Sequence, residues 1–235
     1  MITNILAVRG YKRGYLAKSD SAMIQPIFAT ANLAVRRKTL DEAGAFDINC
    51  KTGEDVDLSI RVAKTKWELF FEPKAIIRHK HRTNLSALLK QWFRYGKLHP
   101  YIFKKHTSKC IEIYYPNKNE IGWSSLQFSK ILGLPVPLHI LIFVTPFHIF
   151  NMLYLLIIFS IITKIYWLLM IFLVVWLFLR LYFSGNSSFR NKRNKFRIIF
   201  SILRYILNWT YVIGAFFGGL KIGVIYIEAT REESP

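Results

Sequence analysis

Acidic residues and cysteines are scarce in this chain. Its 235 residues hold 14 Asp and Glu against 33 Lys and Arg, a formal charge of +19. That shortage of acid points to a polyanionic partner, whether nucleic acid, an anionic lipid surface or a phosphorylated substrate. No motif of the nucleic-acid-binding classes accompanies the charge, so no nucleic-acid partner is expected. An excess of Lys and Arg is also what the cytoplasmic side of a membrane protein carries. The two cysteines, Cys50 and Cys110, are far apart and have no His or Cys neighbour at metal-ligand spacing. They exclude a disulfide framework, fit a reducing compartment and read as ordinary buried or half-buried thiols. Internal repeats and low-complexity tracts are absent, and Met1 to Gly10 lacks the basic-then-apolar layout of a signal peptide.

Apolar residues are abundant at 52%, but unevenly placed. Residues 1–133 mix charged and apolar positions as a globular domain does, whereas long stretches from Leu138 onward carry no charge. Leu138 to Thr163 and Ile165 to Phe183 each have about the length needed to cross a bilayer, and the short turn at Lys164 predicts an antiparallel hairpin. Ile198 to Ile227 reads as a third span or an interfacial helix, with Gly214 and Gly218 at small-xxx-small spacing for close packing in lipid. The expected organisation is therefore α/β. A basic stretch (1–24) precedes the globular part (25–133), which is followed by a transmembrane hairpin (134–183). A basic cytoplasmic loop (184–197), a third transmembrane or interfacial helix (198–227) and an acidic tail (228–235) complete it. The positive-inside rule puts the globular part and the loop in the cytoplasm, on a multi-pass protein of the plasma or inner membrane. If the third span crosses, the tail with Glu228 ends outside.

Within the globular part, Thr39 to Ala43 reads as a short helix closed by Gly44, and Val56 to Ala63 as a helix opening with acidic residues. Trp67 to Glu72 and Ala75 to Arg78 read as strands, and Leu85 to Tyr95 has the apolar spacing of an amphipathic helix. The segment Thr52-Gly53-Glu54-Asp55-Val56-Asp57 places three carboxylates at a helix start. Thr52 as cap, acids near the positive dipole end and an Asp57–Arg61 pair explain it structurally. The chemical alternative is that one ionised carboxylate takes the proton from a sugar hydroxyl as it attacks an anomeric carbon.

Other motifs accompany that segment in order: Thr30-Ala31-Asn32, Gly44-Ala45-Phe46-Asp47, Gly53-Glu54-Asp55, Glu72-Pro73 with His79-Lys80-His81, and Gln91-Trp92-Phe93-Arg94-Tyr95-Gly96. Over residues 26–98 this series resembles the second half of the catalytic domain of family 2 glycosyltransferases, inverting enzymes of the GT-A fold. The resemblance implies a partial GT-A-like mixed domain followed by two or three transmembrane helices. It implies Asp55 as general base and Glu54 as a shaper of the acceptor site. Asn32 would line the cleft, and His79 would reach a divalent metal (Mn or Mg) on the nucleotide diphosphate. Gln91, Arg94 and Tyr95 resemble a Gln-x-x-Arg-Trp motif with Tyr in place of Trp, so that Arg94 would neutralise the leaving diphosphate. Asp55-Val56-Asp57 is literally Asp-x-Asp, the family's metal-binding pattern, but it stands in the wrong context, and Asp57 is not assigned to metal. The implied partners are a nucleotide-sugar donor, a saccharide or lipid-linked acceptor and the membrane. The family's nucleotide-binding half has no room before Gln25, so a truncated product or half of a split gene is expected, with a separate chain or a longer native start supplying that half. The alternative is a non-catalytic membrane remnant binding anionic lipid or a partner chain.

Overall fold

A computed structural model describes residues 14–16, 18, 27–50, 52–72, 74–77, 83–108, 110–116, 123–128, 131, 133, 139–185 and 197–228. The globular part opens with strand β1 (Gly14–Leu16), which pairs antiparallel with β2 (Leu69–Phe71). Helix α1 (Arg37–Ala43) stops at Gly44, whose φ of 83° is the left-handed conformation that glycine adopts without steric cost. Helix α2 (Glu54–Ala63) starts at Gly53, also left-handed at φ 72°. Thr52, the expected cap, does not cap it. Glycine is required here for a second reason, since a Cβ at position 53 would lie 2.0 Å from Cδ2 of Leu98.

Helix α3 (Leu85–His106) runs about three turns beyond Tyr95, where its apolar spacing predicts the end. Asn84 caps its start by accepting from the Ala87 N–H at 3.2 Å, and Lys104, Lys105 and His106 stand at its negative dipole end. The helix continues through Pro100, a residue that removes one helical hydrogen bond, because tertiary packing holds it from outside. That packing comes from α6 (Arg197–Ile222). A Cβ on Gly96 would meet the Tyr211 carbonyl oxygen at 2.0 Å, and one on Gly214 would meet the Phe93 carbonyl oxygen at 2.2 Å. Gly218 stands equally close to Lys97. The small-residue spacing of α6 thus serves contact with α3 of the globular part.

A second sheet has the order β4–β3–β5–β6. Strand β3 (Ile111–Pro116) pairs antiparallel with β4 (Trp123–Gln127) and parallel with β5 (His139–Phe143), which pairs parallel with β6 (Val224–Ile227). Ile102 and Phe103 of α3 pack with Tyr114, Leu141, Phe143, Val224, Tyr226 and Ala215 into the main core. Complete burial of a side chain such as Phe103 is worth roughly 1.5–3 kcal/mol. A smaller cluster of Leu58, Val62, Ala63 and Leu69 lies on the other face of α2.

This sheet corrects the expected membrane topology. Leu138 to Thr163 is not one span, because His139–Phe143 is a strand and only α4 (Pro146–Ile162) is helical. At 17 residues α4 is about 25 Å long, short of a hydrocarbon core of about 30 Å. It turns at Lys164, with φ 58°, into α5 (Tyr166–Gly185), against which it packs. The third expected span ends in a strand, and α6 carries Arg204, Lys221 and a buried Asn208. Among the described residues no helix is long and apolar enough to cross a membrane. Glu228, expected in an external tail, is buried against the globular part. The loop 186–196 and residues 229–235 lie outside the described residues. Residues 75–77 form no strand.

Candidate active site

Asp55 sits in the first turn of α2, half-buried, with Oδ1 accepting the Val56 N–H at 2.8 Å. Burial pushes its carboxyl above the ordinary carboxylate value; the Val56 N–H opposes the rise, the neighbouring Glu54 adds to it and His99 on α3 lowers it. The result is a carboxylate more basic than usual at a helix start, the property a general base needs.

Two residues on, Asp57 is fully buried and differently served. Its Oδ2 accepts from Arg61 Nε at 2.9 Å, and its Oδ1 takes Lys105 Nζ at 2.7 Å and His106 Nε2 at 2.8 Å. Burial alone would raise its carboxyl, but the hydrogen bonds from Lys105, His106 and Arg61 bring it below the ordinary value. Arg61 also donates to the Ala43 and Ala45 carbonyls, and Lys105 also pairs with Asp47 at 2.7 Å. Asp57 therefore ties the α1–α2 connection to the end of α3. A carboxylate held by three basic side chains cannot also ligate a metal, and no group of three His, Cys, Asp or Glu suited to a metal occurs among the described residues. The described residues thus do not fit the metal that the resemblance implies. His79 lies outside them.

Helix α3 gathers the remaining candidates. The Gln91 amide donates to the Tyr95 hydroxyl at 2.5 Å, and Tyr95 meets Trp92 edge-on at 6.5 Å. Arg94 is exposed and lines a shallow groove with Asn84, Ser86, Ala87 and Lys90. Gln91, Tyr95 and His99 follow one another at i, i+4, i+8, so they share one stripe over about 12 Å of the helix, whose Leu98 packs on Gly53 at the start of α2. Asn32 is not part of this grouping: its amide donates to the Ala75 carbonyl at 2.6 Å, inside its own loop. Cys50 and Cys110 are both buried, and burial pushes each thiol up to about 11, which leaves them unreactive at neutral pH.

Comparison with known proteins decides the class. The profile of Glycosyl transferase family group 2 matches residues 7–180. The chain belongs to that family. It is 27% identical over 104 residues to the pre-mycofactocin glycosyltransferases of two strains of Mycobacterium tuberculosis, a match covering 44% of this chain and 22% of each relative. The chain thus spans only about a fifth of the length of the curated relatives it matches. No solved structure matches it. For this glycosyltransferase-family chain, sequence reasoning missed Lys105 and His106 as holders of Asp57, and it missed the pair His99 and Glu228. The signal for His99 was present, four residues after Tyr95 on the same helical stripe. Glu228, at a separation of 129 residues from His99, had no local signal.

Proposed function

We propose that this chain is the acceptor-side part of an inverting glycosyltransferase, in which Asp55 removes the acceptor hydroxyl proton as that oxygen attacks the anomeric carbon of a nucleotide-sugar. The bond to the departing nucleoside diphosphate breaks in the same step, and its negative charge is met by Arg94 and the neighbouring Lys90. Glu54 shapes the acceptor approach. Gln91 and Tyr95 present a hydrogen-bonded pair with an aromatic face on which a sugar ring can stack. The observation that carries this reading is Asp55, half-buried and more basic than an ordinary carboxylate, in a family of glycosyl transferases. Mn²⁺ or Mg²⁺, with His79, belongs to the donor side of the reading, and no step here runs through it.

The acceptor is a lipid-linked or cell-surface saccharide, met at the cytoplasmic face of a cell membrane. The α4–α5 hairpin supports this, because Leu155, Ile162, Trp167, Met170 and Val174 are each more than 60% exposed, a surface that lipid covers better than water. Co-sedimentation should be strong with anionic vesicles, weaker with neutral ones and weakened by salt. Sugar transfer, assayed with the nucleotide-binding half present, should fall about 10²–10⁴-fold in Asp55→Asn with donor affinity nearly unchanged. Substantial residual transfer removes Asp55 as the base.

A further inference from the structure

Helix α6 buries one stripe and exposes the opposite one. Tyr211, Gly214, Ala215 and Gly218 are buried, and the two glycines stand against the backbone of Phe93 and Lys97 on α3. On the far side, Ile202, Ile206, Trp209, Ile213, Phe216 and Leu220 recur at alternating steps of four and three, over about 27 Å of helix. Each of the six is at least 40% exposed. Midway along, this stripe meets α4: Trp209 stands edge-on to Phe147 at 5.6 Å, and the Tyr205 hydroxyl donates to Asn151 Oδ1 at 2.8 Å. The apolar surface of α6 is thereby continuous with that of the α4–α5 hairpin. A basic border runs beside it. Lys90, Arg94, Lys97 and Lys104 share one exposed flank of α3. The Lys97 backbone lies against Gly218, and Lys104 Nζ donates to the Ile222 carbonyl at 2.6 Å. Lys221 is exposed in the last turn of α6, a helix without a single acidic residue.

We propose that α6 is an interfacial helix that lies in the plane of an anionic lipid surface, its outer stripe among the acyl chains and the basic border on the headgroup phosphates. This rests on the membrane part of the functional reading and deepens it. Aromatic and aliphatic bulk on one face, bordered by lysine and arginine and free of acid, is the composition that such a surface retains. Crossing the bilayer does not suit α6, because its inner stripe is locked to α3 and would draw Arg94 and Lys97 into hydrocarbon. A second copy of the chain suits the stripe less well. A paired helical seam takes opposite charges beside it, whereas the flanking positions on α6 carry none, and two chains of charge +19 repel. Because α3 rides on α6, docking in this way holds Gln91, Arg94 and Tyr95 at headgroup level, where a lipid-linked saccharide presents its sugar.

The test is binding of the full chain to phosphatidylcholine vesicles with and without phosphatidylglycerol. Phe216→Ser combined with Leu220→Ser alters only exposed positions, so circular dichroism should match the wild type while partitioning falls about tenfold or more. Lys97→Gln combined with Lys221→Gln should weaken binding to the anionic vesicles by roughly fivefold per lysine and leave neutral vesicles unaffected. Depth is read from a nitrobenzoxadiazole label on Ile206→Cys, Ile213→Cys or Leu220→Cys, quenched by nitroxide lipids. The two natural thiols are buried and unreactive at neutral pH, so the label goes to the new one. Equal, shallow depths at the three positions are expected, and depths that change steadily along the helix overturn the in-plane placement. Wild-type binding left unchanged by Phe216→Ser with Leu220→Ser would remove the role of α6 alone. A wild-type chain that binds neither vesicle would remove the membrane reading as a whole. A lipid-free dimer abolished by the same double substitution would assign the stripe to a second copy and overturn the proposal.

Discussion

The first turn of α2 carries two carboxylates two residues apart, Asp55 and Asp57, and the fold treats them oppositely. Asp55 is taken partly out of water with one backbone N–H for compensation and a like charge beside it. Asp57 is taken wholly out of water but receives Arg61, Lys105 and His106. Burial therefore leaves one carboxyl raised above its ordinary value and the other anchored below it, and the difference lies in basic partners, Arg61 one turn on along α2 and Lys105 and His106 from the end of α3. The helical period accounts for it: two residues on, position 57 is turned by about 200° and reaches Lys105 and His106 at the end of α3, while Asp55 stays in the turn that begins at Gly53.

Removing the anchor should have the largest effect on the fold. Asp57→Ala leaves Arg61 without its carboxylate at a largely buried site and Lys105 with Asp47 alone, and should cost about 3 kcal/mol in denaturant unfolding, against little change for Asp55→Asn. Equal loss in the two variants would break the contrast. Somewhat smaller is the effect of adding a methyl group where α6 meets α3. Gly96→Ala sets a Cβ against the Tyr211 carbonyl, backbone that cannot swing aside, and should lower stability by about 2 kcal/mol in the same measurement.

The pH dependence of stability separates the two carboxylates by sign. Asp57, with a folded value below the ordinary 3.8, adds stability above that pH and loses it as pH falls through the folded value. His106, lowered from 6.5 chiefly by burial, behaves alike, and its share is lost as pH falls below 6.5. Asp55 runs the other way: raised above 3.8, it favours the fold in its protonated form and loses that share as pH rises through its folded value. Thermal unfolding should therefore show Asp55→Asn equal to or slightly more stable than the wild type at pH 7. The wild type itself should weaken from about pH 6 downward. A clear drop for Asp55→Asn at pH 7 would contradict the sign.

How much of this was legible in the sequence follows the range of the interactions. Helices α1 and α2 were readable because their signals are local: Gly44 after α1, acids in the first turn of α2 and an i, i+4 pair from Asp57 to Arg61. The four-stranded sheet was not, because β5 is a run of apolar residues continuous with α4, and such a run reads equally well as one long helix. Only pairing with β3 and β6 makes it a strand, and those partners lie far off in the chain. The membrane spans failed for the same reason, since hydropathy alone does not record where the chain changes from strand to helix. At the site, Asp55, Gln91, Arg94 and Tyr95 stood out as motifs, whereas Lys105, His106, His99 and Glu228 gain their meaning from contacts between elements.

The contrast between the two carboxylates is tested most directly by following the side-chain carboxyl carbons of Asp55 and Asp57 through one acid titration of the wild-type chain. The account predicts two separate midpoints, Asp55 above 3.8 and Asp57 below it. Coincident midpoints, or the reverse order, would contradict it.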